Sequence, residues 1–308
     1  MSHSILHTSQ KNIVTRGGED GLIEHIFSII PSINKWCVEF GAFDGKINSN
    51  SWNLIQNHNW SAVLIEGHPR FAQELKKRYA NHKNVHAIER FVQFAGKDTL
   101  SAILQEITIP TDFDFLSIDI DGADYHIWDS FTDYTPRVVM IECNLRIPPS
   151  VNFIPPRKMG NGIGSSLSAL VDLGKTKGYE LIYAENTNAV FVRSDLYPLF
   201  QLTDNKPETI GIFTETAIQV FQGFDGSLIV SGLPPTSLLL QKKKPNPVLY
   251  TLHQDILNPV QIQSDPWRRL KYIVKSFPLY YLWFDASVMK WYGQRWKTKK
   301  AHLEQNNV

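Results

Sequence analysis

The 308-residue sequence holds only two cysteines and four methionines, and its formal net charge is +1. Cys37 and Cys143 each lie inside a short apolar run. They are too few for a disulfide framework and read as reduced core thiols. No Cys/His spacing resembles a zinc site. The sequence also lacks both a Gly-x-x-x-x-Gly-Lys loop for a nucleotide's phosphates and a Gly-x-Gly-x-x-Gly turn for a dinucleotide. No apolar run reaches the roughly 18 to 20 residues that a membrane span needs. Residues 1–16 are polar and lack the apolar centre of a signal peptide, so the cytoplasm is the expected compartment. A near-neutral charge balance disfavours general nucleic-acid binding.

What remains is an ordinary globular composition, 43% hydrophobic and 20% charged, in a chain long enough for one large or two modest domains. Short apolar runs at 36–40, 62–66, 84–89, 113–118 and 138–141 read as strands. Helical periodicity falls before and between them, at 22–30, 48–57, 69–79 and 98–105, with Asp20 able to cap the first. Such alternation implies a Rossmann-like, doubly wound α/β sheet. A helix over 165–176 precedes two further strands, 179–183 and 189–193. Their short link, 185–188, makes a hairpin, so the seven-stranded sheet is mixed and its last strand antiparallel. The prolines and glycines of 145–164 predict a long loop, and loops of that length in a compact domain are usually functional. It leaves a strand's carboxyl end and is expected to cover the site. The expected organisation is a ligand-binding domain over 1–195, an accessory region over 196–260 and a basic aromatic helical segment over 261–308.

The organising stretch is Trp36-Cys37-Val38-Glu39-Phe40-Gly41-Ala42-Phe43-Asp44-Gly45. A buried strand ends in an acid and then a Gly-x-x-x-Gly turn, where glycine lets the backbone pass close to a ligand. In open α/β sheets this carboxyl end is where ligands bind. Carboxylates repel phosphates, so the expected guest is a cation without pyrophosphate. S-adenosylmethionine, with its sulfonium and amino groups, answers that description. Glu39, Gly41, Ala42, Asp44 and Gly45 are candidates for its methionine end. Glu66, ending the second strand, is the candidate for its ribose hydroxyls, and Asp98 or Asp119 for its adenine edge or reacting end. A solvated glutamate and a plain glycine turn are the structural alternatives.

Strand four runs into Asp119-Ile120-Asp121-Gly122-Ala123-Asp124, and strand five into Glu142-Cys143-Asn144. Three readings of these oxygens stand side by side. Asp119, Glu142 and Asn144 could hold Mg²⁺ or another divalent cation, which would acidify a substrate hydroxyl. Asp119 or Asp121 could act as general base without a metal. Asp119 could instead only cap the next helix. His68 and His126 lie near the site, where a lone histidine is usually a packing residue.

With these residues laid out, the sequence resembles the FkbM-type family of class I S-adenosylmethionine-dependent methyltransferases. The matching stretches are Gly18-Glu19-Asp20-Gly21, Val38 to Gly45, Asn59 to Glu66, Phe115 to Tyr125 and Arg137 to Asn144. Further matches are Ser168-Ala169-Leu170, Lys177-Gly178-Tyr179 and Asn188 to Arg193; together they cover roughly residues 9–230. The resemblance implies O-methylation, often of sugars or other secondary-metabolite hydroxyls, and hence a small-molecule or glycan acceptor. The pattern after strands four and five is also similar to that of metal-dependent catechol-type O-methyltransferases, although Cys143 separates Glu142 from Asn144 here.

Nine Lys/Arg residues and one acid, Asp285, fall between Arg268 and Lys300, interleaved with Trp267, Tyr272, Trp283, Trp291, Tyr292 and Trp296. Such a segment, 266–300, suits a peripheral contact with an anionic membrane face. A helix packed on the protein's own surface and a dimer contact are the plainer readings.

Overall fold

A computed structural model describes residues 5–120, 122–157, 164–185 and 187–213, together with the backbone of three short strands beyond them. The chain divides into two compact units, Met1–Glu215 and Thr216–Val308. In the second, β8 (Gln219–Gln222), β9 (Leu228–Ser231) and β10 (Leu249–Thr251) form an antiparallel sheet of order β10-β9-β8. The basic aromatic segment 266–300 lies outside the described residues.

The first unit is built on a seven-stranded sheet of order β3-β2-β1-β4-β5-β7-β6. Its strands are β1 (Trp36–Phe40), β2 (Ser61–Glu66), β3 (Val85–Glu89), β4 (Phe115–Ile118), β5 (Val138–Glu142), β6 (Tyr179–Glu185) and β7 (Asn188–Arg193). All pairings are parallel except those of β7, which runs antiparallel to both β5 and β6. The hairpin and the mixed sheet are as the sequence predicts. The order reverses between β1 and β4, which opens a crevice at that switch point.

Period-two side-chain alternation sends each strand's residues to two separate cores. Val38, Phe40, Val63, Ile65, Leu116 and Ile118 face one, which is closed by α5 (Leu100–Gln105), α6 (Asp124–Ser130) and α7 (Leu167–Thr176). Cys37, Ala62, Leu64, Phe115 and Met140 face the other. That one is closed by α1 (Ile5–Thr8), α2 (Glu19–Ile29), α3 (Trp52–His58) and α4 (Pro69–Tyr79). Both cysteines are buried free thiols, with burial pushing each thiol's pKa up. Beyond β7, Phe200 and α8 (Pro207–Ile210) still pack on the first unit's cores, Ile210 being 4% exposed.

Opposite the crevice, at the amino edge, Asp114 ties the strands together. Its carboxylate accepts from the backbone N–H groups of Ile33 (3.0 Å), Asn34 (2.9 Å) and Lys35 (2.7 Å). It also pairs with the buried Arg137 guanidinium at 2.8 Å.

Three local expectations change. The helix expected over 48–57 begins only at Trp52, because Ser49, Asn50 and Ser51 are drawn to Glu39. Asp98 closes a 3₁₀ turn, and α5 starts behind Thr99, whose hydroxyl accepts from Ala102 N–H at 3.2 Å. The cap of α2 is Gly18, at φ +90°, and not Asp20. Asp20 Oδ2 instead gathers the N–H groups of Ile13, Val14 and Thr15 at 2.7–2.9 Å.

Candidate active site at the carboxyl edge of the sheet

The strand register lines up one residue per strand along the carboxyl edge. Glu66 pairs with Glu89, Glu142 with Asn188, and Asn188 with Glu185. Phe40 is level with both Ile65 and Ile118, and Ile118 with Ile141. The next residues, Gly41 and Asp119, therefore fall in the row between Glu66 and Glu142. Read from β3 to β6, the row is Glu89, Glu66, Gly41, Asp119, Glu142, Asn188 and Glu185. Adjacent strands stand about 4.8 Å apart, so Glu66 and Asp119 flank the switch-point crevice about 10 Å from one another. Glycine is the row's only member without a side chain, and it sits at the crevice.

The β1 turn is held by hydrogen bonds from both sides. Gly41 and Ala42 N–H both donate to Ile65 O at 3.1 Å, which clamps the turn to β2. Gly41 has φ +80°, and a Cβ there would stand 1.9 Å from the Asp119 carbonyl oxygen. Gly45, at φ +74°, leaves room for Leu75 and Tyr79 of α4, and its carbonyl accepts from the Tyr79 hydroxyl at 2.7 Å.

Glu39 and Asp44 spend their oxygens on the chain itself. Glu39 is 5% exposed; Oε1 accepts from Asn50 N–H at 2.8 Å, and Oε2 from the hydroxyls of Ser49 (2.6 Å) and Ser51. Burial raises its pKa, and those hydrogen bonds oppose the rise. Asp44 Oδ1 accepts from the N–H groups of Lys46 (3.0 Å) and Ile47 (2.8 Å), while Oδ2 pairs with Arg78 at 2.6 Å. Both acids thus hold the loop from Gly41 to Ser51 in shape. Their partners Ser49, Asn50, Ser51 and Arg78 were not singled out in the sequence. The polar run 48–51 was the available signal, whereas Arg78 lies 34 residues from Asp44 and left none.

Glu66 differs from them. It is half-buried and accepts from Phe43 N–H (2.8 Å) through Oε2 and from His68 N–H (2.6 Å) through Oε1. A carboxylate has about four lone-pair sites, so these bonds leave acceptor capacity for a ligand. Burial raises its pKa, against the backbone hydrogen bonds. Asp98, beyond the end of β3, is half-buried and pairs with Arg90 at 3.2 Å.

Across the crevice Asp119 is exposed at the end of β4. The loop behind it is shaped by Asp124, whose carboxylate accepts from Ile120 N–H (2.9 Å) and Gly122 N–H (2.8 Å). The N-cap of α6 is Ala123, not Asp119. Glu142 and Asn144 are half-buried, and Asn144 Oδ1 accepts from Arg146 N–H at 3.1 Å. Asp121 lies outside the described residues. Among those described, no group of three or more His, Cys, Asp or Glu side chains is placed to hold a metal ion.

The loop after β5 leans across this edge. Ser166 exchanges hydrogen bonds with Phe153, its hydroxyl accepting from Phe153 N–H at 2.9 Å and its own N–H donating to Phe153 O at 2.9 Å. Farther on, Pro155 O meets His126 Nε2 at 2.7 Å, and Arg157 lies 5.3 Å from the centre of the Phe94 ring, beyond β3. The loop so reaches from β5 to the chain that follows β3. No helix among the described residues is long and apolar enough to cross a membrane.

No protein-family profile and no curated protein sequence match this chain. Solved structures resemble it in part. The citrinin polyketide synthase CMeT domain aligns over 62% of this chain and 55% of its own, at 8% identity and a TM-score of 0.40. A structure provisionally described as a caffeoyl-CoA O-methyltransferase from Staphylococcus aureus aligns over 63% of this chain and 92% of its own, at 17% identity and a TM-score of 0.41. Magnesium protoporphyrin IX methyltransferase from Synechocystis PCC 6803, with bound SAM, aligns over 60% and 85%, at 10% identity and a TM-score of 0.33. The chain spans 62%, 56%, 55% and 56% of the length of four of the matched structures. The fold assignment rests on the strand order and register themselves.

Proposed function

We propose that the protein is an S-adenosylmethionine-dependent O-methyltransferase of the FkbM type, acting on a hydroxyl of a saccharide or glycoconjugate. The observation that carries this reading is the acid row broken by Gly41: Glu66 on one side of the crevice, Asp119 on the other. Acids flanking a switch point suit a cationic nucleoside and repel a pyrophosphate. Bound there, S-adenosylmethionine would supply a methyl group activated by its positive sulfur.

The chain's own residues supply the rest. Glu66, held in place by Phe43 N–H and His68 N–H, accepts from the ribose hydroxyls with its remaining lone pairs. Glu39 and Asp44 keep the Gly41–Ser51 loop in register and so position the turn. Asp119, exposed at the mouth of β4, accepts the proton that the acceptor hydroxyl releases on attack; Asp121, two residues on, is the second candidate base. No step is assigned to a metal. The loop that leans over the edge excludes water, which would otherwise compete with the acceptor hydroxyl.

The test is calorimetry with S-adenosylhomocysteine on the folded protein, followed by turnover against a panel of glycans. Binding in the micromolar range supports the reading, and folded protein with no binding overturns it. Asp119→Asn is expected to lower turnover ~10²–10⁴-fold, far more than it lowers S-adenosylhomocysteine affinity.

A further inference from the structure

A polar cavity of about 350 Å³ opens between the N-terminal segment and the end of β6, lined by Gln10, Lys11, Asn12, Arg16, Glu185 and the Gly17-Gly18 backbone. That volume lies at the small end of ligand pockets, which run from ~300 to 1,000 Å³. Glu185 closes the row described above. Asn188 pairs with both Glu142 and Glu185, which puts Glu185 two strands, or about 10 Å, from Glu142. The cavity thus continues the carboxyl edge on the side away from Glu66.

Its walls are set in advance. Glu185 Oε2 meets Gln10 Nε2 at 2.5 Å, the Tyr183 hydroxyl at 3.0 Å and His7 Nδ1 at 3.0 Å. Gln10 Nε2 also reaches the Tyr183 oxygen at 2.7 Å. Among the described residues these bonds all fall on Oε2, which leaves Oε1 to accept from a ligand. The opposite wall is stitched to the start of α2. Lys11 N–H donates to Gly18 O (3.2 Å), Gly21 N–H to Lys11 O (3.0 Å) and Gly18 N–H to Asn12 Oδ1 (2.6 Å). Asp20, 1% exposed, gathers the N–H groups of residues 13–15 and the Thr15 hydroxyl. Gly18 and Gly21 admit the strap at close range, since a Cβ on either would stand 2.5 Å or less from Gln10 Cβ or from Ser9 O.

On these fixed walls stand two exposed cations, Lys11 and Arg16. Among the described residues neither is taken into an ion pair, and Lys11 lends charge only at longer range to Glu24. Two cations facing one tethered carboxylate favour a ligand that carries an acid group and hydroxyls together.

We propose that this cavity is the acceptor-recognition subsite, and that the acceptor is an acidic saccharide. Lys11 and Arg16 engage its carboxylate or phosphate, and Glu185 Oε1 accepts from its hydroxyls. The proposal rests on the methyl-transfer reading of the adjoining crevice. The test compares the full chain with its Lys11→Ala/Arg16→Ala variant, measuring affinity for methyl glucuronide against methyl glucoside and for glucose 6-phosphate against glucose. S-adenosylhomocysteine binding is measured in parallel.

The expected result is at least a tenfold preference for the acidic member of one pair. The double variant abolishes that preference and leaves S-adenosylhomocysteine affinity unchanged. Which pair shows it tells carboxylate from phosphate. Equal affinity within both pairs, or a preference that survives in the double variant, overturns the subsite; the methyl-transfer reading stands if S-adenosylhomocysteine still binds. Inorganic phosphate displacing the acidic sugar at equal concentration overturns the saccharide part. A Glu185→Gln variant supplies a second check: it should weaken the acidic and the neutral sugar alike, by about threefold to tenfold. An acidic sugar bound through Lys11 and Arg16 by a protein that ignores S-adenosylhomocysteine supports the subsite and removes the proposed reaction.

Discussion

Gly41 and Asp119 meet so closely that a single methyl group on Gly41 would stand 1.9 Å from the Asp119 carbonyl oxygen. The turn that ends β1 and the chain that leaves β4 therefore share one wall of the crevice. Gly41→Ala must push that wall open and also adopt φ +80°, a conformation that L side chains rarely take. The expected cost is ~1–3 kcal/mol, read as a lower urea midpoint at unchanged m value. S-adenosylhomocysteine affinity should fall at least tenfold. A variant of native stability and affinity would show that the two segments do not meet.

Glu39 yields a prediction about pH. Its pKa is raised above the ordinary 4.5 by burial, so the folded state holds this proton to higher pH than the unfolded chain does. Its contribution to stability is thus complete below the unfolded value and is lost as pH rises through the folded value. Glu39→Gln removes that titration. The glutamine can keep the geometry, accepting from Asn50 N–H with its oxygen and donating to the Ser49 and Ser51 hydroxyls with its amide. Urea titrations from pH 4.5 upward should show a flatter stability profile in the variant. Parallel profiles for variant and wild type would mean that Glu39 titrates alike in both states.

The strand pattern was open to sequence reading because each strand is short, apolar and bounded by turn residues, from Trp36 to Phe40 through to Asn188 to Arg193. The hairpin before Asn188 sufficed to predict the antiparallel strand. The acids at the strand ends were also visible, but their duties were not. Whether Glu39 faces a ligand or Ser49 depends on where a ten-residue excursion returns, and no local periodicity encodes that. The same holds for Asp44 and Arg78, joined across 34 positions. The order of residues 5–16 comes from contacts with α2 and β6, not from their own propensity. Leu6, at 1% exposure, sits beside Ile5 in an otherwise polar segment, and its burial needed the fold to be seen.

The amino edge should bear on stability but not on the site. Asp114 is fully buried against Arg137 and three backbone N–H groups. Asp114→Ala leaves a buried guanidinium without its counter-charge, a change that costs ~3–5 kcal/mol. The urea midpoint should drop accordingly. Because the site lies at the opposite ends of the same strands, the variant that remains folded at low temperature should bind S-adenosylhomocysteine within about twofold of wild type. A large loss of affinity in folded protein would show that the two edges are coupled.

Glu66 is the sharpest test of the cofactor position. Its carboxylate already accepts from Phe43 and His68 N–H groups, and only the ionised form can accept from two ribose hydroxyls as well. Burial raises its pKa above 4.5, so the binding-competent form is lost as pH falls toward that raised value. Affinity for S-adenosylhomocysteine should therefore be flat near neutrality and should begin to weaken above pH 4.5 on acidification. Glu66→Gln places an amide N–H against one of the two backbone donors, leaving it unpaired at a cost of ~1–3 kcal/mol. Its affinity should be at least tenfold lower at neutral pH and should not change on acidification. A wild-type affinity constant down to pH 4.5, or a Gln variant that binds normally, would remove Glu66 from the ribose position and leave the crevice without its cofactor anchor.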